Sequence, residues 1–135
     1  MNFRPVYLDS SAVLKLVLPE RESEPLTRAL QGWEDLVSSA LAAIESRRAL
    51  RRVTRSPAIR RRLEAVLSAL TLVRIDDVVV RTASDVGAPE LRTLDAIHLA
   101  TALSIGDLPD AFITYDDRLA GAARALGLDV LQPGR

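Results

Sequence analysis

Four carboxylates stand out in this chain because each lies in an apolar or small-residue setting: Asp9 in VYLDSSAVL, Glu45 in LAAIESRRAL, Asp95 in LRTLDAIHLATAL and Asp116 in FITYDDRLAGAA. Gathered in one place they would repel. Two like charges ~4 Å apart cost about 1 kcal/mol in bulk water and about 4 kcal/mol at an effective dielectric of 20, so such a group calls for protonation or a bound cation. Oxygen donors without histidine or cysteine select a hard cation, Mg2+ or Mn2+, over zinc. A divalent ion lowers the pKa of bound water and neutralises charge on a phosphoryl oxygen, and a pair of ions roughly 3.5–4 Å apart stabilises both the attacking and the leaving oxygen. Phosphodiester hydrolysis is the chemistry that suits this set.

Each acid also has a local reading. Asp116 fits the N-cap of a following helix. Asp95 falls in a first helical turn after Thr93 as a candidate N-cap, where the helix dipole favours a carboxylate. Glu45 has Arg48 and Arg52 within reach for helical ion pairs of only ~0.2–0.5 kcal/mol, and Asp9 can cap the helix after its strand. Four separate local explanations are then needed at once, which favours the shared one. Ser10, Ser11 and Thr114 are placed to bond these acids or metal-bound waters, or to serve as caps and turns.

Other chemistries are excluded by what is missing. With no cysteine there is no thiol nucleophile, zinc knuckle or iron-sulfur site, and with His98 as the one histidine a His-rich metal site is impossible. The glycines, at 32, 87, 106, 121, 127 and 134, are too far apart for a nucleophile elbow, a dinucleotide fingerprint or a Walker A loop. His98, three residues after Asp95 among Leu99 and Leu103, reads as a packed helix residue rather than a catalyst.

Charge is balanced only in total, 18 Lys+Arg against 18 Asp+Glu. Eight arginines and no acid fill residues 46 to 63, while nine acids and two arginines fill 75 to 117, a separation that suggests a charged partner and a cation site. On a helix, Arg48 and Arg52 lie within about 60° of Glu45, where they can meet a phosphate backbone entering the pocket. A solvated face or a dimer contact accounts for the block equally well, since aromatic residues for base stacking are few.

The elements that must position these residues alternate. Strands are predicted at 6–8, 36–38, 72–75, 111–114 and 130–131. Helices are predicted at 10–18 (stopped by Pro19), 22–30, 40–54, 58–70 after Pro57, 78–86, 94–103 and 118–126, with Gly87 and Pro89 in a turn and Gly127 as a left-handed cap. Strands alternating with helices imply a parallel sheet covered on both faces, with ligands at the carboxyl ends of the strands. Asp9 and Asp116 then sit at strand ends, and Glu45 and Asp95 in first helical turns. A chain of 135 residues, 48% of them hydrophobic, is expected to form one domain over 1–135 with a real core. The start MNFRPVYLDSS lacks the features of a secretory signal, and no window reaches the roughly 18 apolar residues of a membrane span, so the expected compartment is the reducing cytoplasm.

The stretches VYLDSSAVLKL, ALAAIESRRAL, LRTLDAIHLATAL and FITYDDRLAGAARALGL, in this order and at this chain length, resemble the PIN-domain family, specifically the small VapC-type toxins of bacterial toxin-antitoxin pairs. The resemblance runs from about Val6 to Leu131. It implies a three-layer, Rossmann-like fold with a central parallel sheet of four to five strands, a Mg2+-dependent ribonuclease site in which Mn2+ can substitute, an RNA substrate, a homodimer, and neutralisation by a small VapB-type antitoxin. It assigns the metal and catalytic roles to Asp9, Glu45, Asp95 and Asp116, matches Thr114, Asp116 and Leu119 to the final T-x-D-x-x-L pattern, and leaves Asp117 as an extra acid. Arg48 and Arg52 match no invariant family position, so their RNA role rests on helix geometry. Two competing readings are a non-catalytic PIN-like interaction module, disfavoured because all four acids are present, and a phospho-accepting receiver domain. The receiver normally needs paired acids after the first strand and a lysine after the last, whereas Lys15 is the one lysine here.

Overall fold

The computed structural model describes residues 4–135. Its centre is a five-stranded parallel sheet in the order β3-β2-β1-β4-β5, built from β1 (Val6–Leu8), β2 (Leu36–Ser39), β3 (Thr71–Val73), β4 (Ala111–Ile113) and β5 (Val130–Leu131). The chain winds outward from β1 to β3, then returns to pair β4 with β1, with Val6 opposite Ala111 and Leu8 opposite Ile113. That reversal makes the carboxyl ends of β1 and β4 the topological switch point, the place where such sheets bind ligands.

Among the described residues seven helices fill the connections: α1 (Ser10–Lys15), α2 (Ser23–Leu30), α3 (Ala40–Val53), α4 (Pro57–Ala69), α5 (Asp77–Asp85), α6 (Thr93–Leu103) and α7 (Asp117–Ala125). Alternation along the central strands builds two apolar layers. Val6, Leu8 and Ile113 point into one with Val13, Val17, Leu26, Leu50, Leu63 and Leu67, while Tyr7 and Phe112 point into the other with Val37, Leu99, Leu119 and Leu128. Strands buried on both faces read as unbroken apolar runs, which is why VYL and AFI carry no polar alternation.

The helix boundaries follow local chemistry. Side chains of Asp9, Ser39, Ser56, Asp76 and Asp116 accept backbone N–H bonds at the starts of α1, α3, α4, α5 and α7. Pro57 opens α4 instead of standing outside it, since proline lacks only an N–H that the first turn leaves unpaired anyway. The helix predicted to Leu18 ends at Lys15, where Leu16 and Val17 switch to bonds three residues back ahead of Pro19. Arg92, not Thr93, holds the N-cap position of α6, and its side chain makes no cap bond. At the far end of α7, Gly127 has φ +84° and donates to Arg124 O while Leu128 donates to Ala123 O, the paired bonds of a Schellman cap. No helix among the described residues is long and apolar enough to cross a membrane.

Candidate active site

Asp9 leaves the end of β1 with its backbone N–H on Ile113 O of β4 and its side chain only 4% exposed. Both carboxylate oxygens are engaged. Oδ1 accepts from Ser11 Oγ at 2.6 Å and from the Ala12 N–H at 3.0 Å, and Oδ2 accepts from Thr114 Oγ1 at 2.6 Å. Burial pushes this carboxyl above the usual aspartate range, outweighing the charge of nearby His98 and the bonds from Ser11, Thr114 and Ala12. Thr114 also accepts from the Asp116 N–H at 3.0 Å, so one hydroxyl ties the ends of β1 and β4 together. Ser11 Oγ in turn accepts from the Tyr115 N–H at 2.8 Å.

Asp116 caps α7 through Oδ1, which accepts from the Arg118 and Leu119 N–H groups at 2.9 and 3.2 Å. The local reading of this acid therefore holds, and capping fixes its carboxylate at the end of β4. Asp95 stands in the first turn of α6. Burial raises its pKa first, then the negative charges of Asp116 and Asp9, partly offset by His98 and Arg92. Asp9, Asp95 and Asp116 thus share one electrostatic neighbourhood.

Glu45 lies one turn deeper than expected, in the second turn of α3. It pairs with neither Arg48 nor Arg52 as the helical spacing allowed; its Oε1 takes bonds from Ser10 Oγ and from His98 Nε2, the latter at 2.8 Å. Burial works to raise its pKa, but the bonds and charge supplied by His98 and Ser10 hold it below the usual glutamate value. Ser10 is drawn to Glu45, and Ser11 and Thr114 to Asp9. Asp117 points elsewhere: its side chain is 83% exposed and paired with Arg135 at 2.8 Å, with Gln132 Nε2 also on it at 3.3 Å.

His98 is the residue that sequence reasoning undervalued. It is buried, as expected of a packed helix residue, yet both ring nitrogens leave the helix, Nε2 to Glu45 and Nδ1 to the Tyr7 hydroxyl at 2.7 Å. The available signal was its spacing of three from Asp95, which puts both on one face of α6. Of the arginine block, Arg47 is held by Glu64 on α4 through two bonds, whereas Arg48 and Arg52 are exposed and make no ion pair among the described residues.

Oxygen donors of this kind suit a hard divalent cation, and the raised pKa values of Asp9 and Asp95 mark a buried negative charge that such a cation would relieve. In the conformations described, no three His, Cys, Asp or Glu side chains among the described residues converge as a ready-made metal cage. The bonding explains this, because Asp9, Glu45 and Asp116 turn their oxygens to hydroxyl, imidazole and backbone donors in place of one another.

The family model for the PIN domain matches residues 6–125. Ribonuclease VapC46 of Mycobacterium tuberculosis (strain ATCC 25618 / H37Rv) is 44% identical over 128 residues, spanning 95% of this chain and 97% of that protein. Ribonuclease VapC35 of Mycobacterium tuberculosis (strain CDC 1551 / Oshkosh) is 42% identical over 134 residues, spanning 96% and 98%. Among solved structures, FitAcB from Neisseria gonorrhoeae superposes with a TM-score of 0.74 at 21% identity, over 95% of this chain and 97% of that one. VapBC2 from Rickettsia felis, bound to a DNA fragment from its promoter, gives 0.73 at 10% identity, over 96% and 98%. These two show a shared fold.

Proposed function

The chain belongs to the PIN-domain family, and from that premise we propose that it is a divalent-metal-dependent endoribonuclease, the toxin of a VapBC-type pair, working as one domain. The observation that carries this reading is the group of acids: Asp9 and Asp116 at the ends of β1 and β4 and Asp95 in the first turn of α6, where burial, Asp116 and Asp9 push its carboxyl upward. The curated relatives named as VapC ribonucleases support it.

Asp9, Asp95, Asp116 and Glu45 are the residues that would hold Mg2+ or Mn2+, which when bound supplies water activation and charge neutralisation at the scissile phosphate. Ser11, Thr114 and the α1 backbone hold Asp9 in place, so its negative charge is preorganised rather than recruited. The α7 cap does the same for Asp116. Asp117, neutralised by Arg135, stands outside this set.

RNA is the substrate, and a VapB-type antitoxin is the neutralising partner, as in the toxin-antitoxin pairs the chain resembles. A homodimer is supported by Ile75, Val78, Val80 and Leu94, large apolar side chains left 40–52% exposed around α5 and α6. The cysteine-free chain is suited to the cytoplasm.

The decisive experiment incubates the purified chain with cellular RNA plus Mg2+ or Mn2+ and sequences the RNA ends produced. New 5′ and 3′ ends are expected with metal and none after EDTA; intact RNA under both conditions, from folded protein, would eliminate the ribonuclease reading in favour of an interaction module. Expression of the chain alone is expected to arrest bacterial growth, with a co-expressed VapB-type antitoxin restoring it.

Arg48 and Arg52 are free to meet phosphates on the approach to Glu45. Replacing both with alanine is expected to weaken RNA binding and to reduce the slope of log affinity against log salt by roughly 1.4, about 0.7 for each lost single-strand phosphate contact. An unchanged slope would assign them to a protein contact instead.

A further inference from the structure

Behind the acids runs a set of side chains that hydrolysis as described does not use. The Tyr7 hydroxyl lies 2.7 Å from His98 Nδ1, His98 Nε2 lies 2.8 Å from Glu45 Oε1, and Ser10 Oγ donates to the same glutamate oxygen. Tyr7 is fully buried and His98 is 2% exposed. A histidine that only filled space on α6 would find partners nearby; this one reaches β1 and α3, 91 and 53 residues away in sequence.

Donor counting fixes the direction of the bonds. An ionised carboxylate only accepts, so Nε2 carries a proton and donates to Glu45. In the neutral imidazole Nδ1 is then an acceptor, and the Tyr7 hydroxyl, which burial keeps protonated, donates to it. The phenol cannot swing away, because its ring stacks on Phe112 with centroids 5.0 Å apart and meets the imidazole edge-on at 5.9 Å. The rigid end of the chain is therefore in the core and the mobile end is Glu45, a half-buried side chain with three rotatable bonds.

We propose that His98, oriented by Tyr7, is a positioning residue that holds the Glu45 carboxylate ready for the divalent cation, resting on the reading of Glu45 as a metal ligand given above. Partners that orient a ligand in this way change metal affinity or activity by about 10- to 100-fold when removed.

The test compares wild type, Tyr7→Phe, His98→Leu and His98→Gln as full chains, measuring Mn2+ binding by calorimetry, the Mn2+ dependence of RNA cleavage, and Tm. His98→Leu and Tyr7→Phe are expected to raise the half-saturating Mn2+ concentration, His98→Leu by about 10-fold or more. His98→Gln returns it toward the wild-type value, because the glutamine amide offers an N–H where Nε2 stood, and adding Tyr7→Phe to His98→Gln moves it no further. Wild-type midpoints in both Tyr7→Phe and His98→Leu, with only Tm changed, would overturn the proposal; should His98→Leu fail to fold, Tyr7→Phe alone decides. Wild type that binds Mn2+ but leaves RNA intact removes the ribonuclease reading while the binding midpoints still judge His98. Wild type that binds no Mn2+ overturns both.

Discussion

Asp9→Asn is expected to abolish RNA cleavage while making the metal-free protein more stable. The activity loss is set at roughly 10²-fold or more, the scale of removing one preorganised charge-stabilising group from an active site. The gain in stability follows from burial. Asparagine keeps the α1 cap as well as aspartate does, its carbonyl still accepts from the Ala12 N–H and Ser11, and the Thr114 hydroxyl can accept where it donated. What disappears is a carboxylate whose charged form the fold disfavours. Because its pKa in the folded chain lies above the unfolded value, ionisation costs stability above the ordinary aspartate pKa of about 4, and the cost grows until pH passes the folded value. The Tm of metal-free wild type should therefore fall relative to Asp9→Asn as pH rises from about 4 toward neutral. Added Mg2+ should reverse the order, raising the wild type alone. Asp95→Asn should lose activity similarly with a smaller gain in Tm, since Asp95 is only partly buried. Equal Tm values for wild type and Asp9→Asn at every pH would show that its hydrogen bonds fully offset burial.

Phe112→Ala carries the largest stability effect expected of any single core change near the site. Phe112 lies at the middle of β4, has no exposed surface, and stacks on Tyr7 with planes 9° apart. Truncating a buried phenylalanine costs about 3–5 kcal/mol, against total stabilities of 5–15 kcal/mol for domains of this kind. Urea unfolding should show a lower midpoint with an unchanged m value, and Tm should fall by roughly 10 °C or more. Phe112→Leu, which keeps most of the volume, should lose much less. A Phe112→Ala loss below about 1 kcal/mol would mean the two apolar layers are loosely packed at this strand.

The acids were legible because their surroundings are not. A carboxylate amid VYL, LAAI, LATAL or FIT stands out against its apolar neighbours, and the alternation of short apolar runs with helical stretches placed two of them at strand ends. The sheet and its helices followed from the same alternation, with errors confined to ends where local rules compete: Pro57 read as a break yet opens α4, and the run through Leu18 reads as helix until its last turn changes its hydrogen bonding. His98 was harder. LDAIHLATAL is apolar on nearly every side, so periodicity files its histidine with the core, and neither Tyr7 nor Glu45 is near it in sequence. Asp117, left over as an extra acid beside Asp116, opens α7 and is delivered to Arg135, a partner 18 residues away that its sequence neighbours do not announce. The local alternative for Glu45, pairing with the arginines of α3, gives way to partners on α1 and α6 that its sequence neighbours could not indicate.

The return of the chain to the sheet's centre also sets when the pocket comes into being. Asp9 is made early, but the threonine that fixes it is 105 residues downstream, on the far side of a strand pairing that must form across most of the chain. Such distant pairings are reached late in folding. During synthesis the first three strands can emerge and pair while Asp9 still lacks both Thr114 and Asp116. A truncated or half-made copy therefore carries the acid without its partners, and a cell producing this protein meets an assembled site only once β4 and the turn from Thr114 to Asp116 have been made.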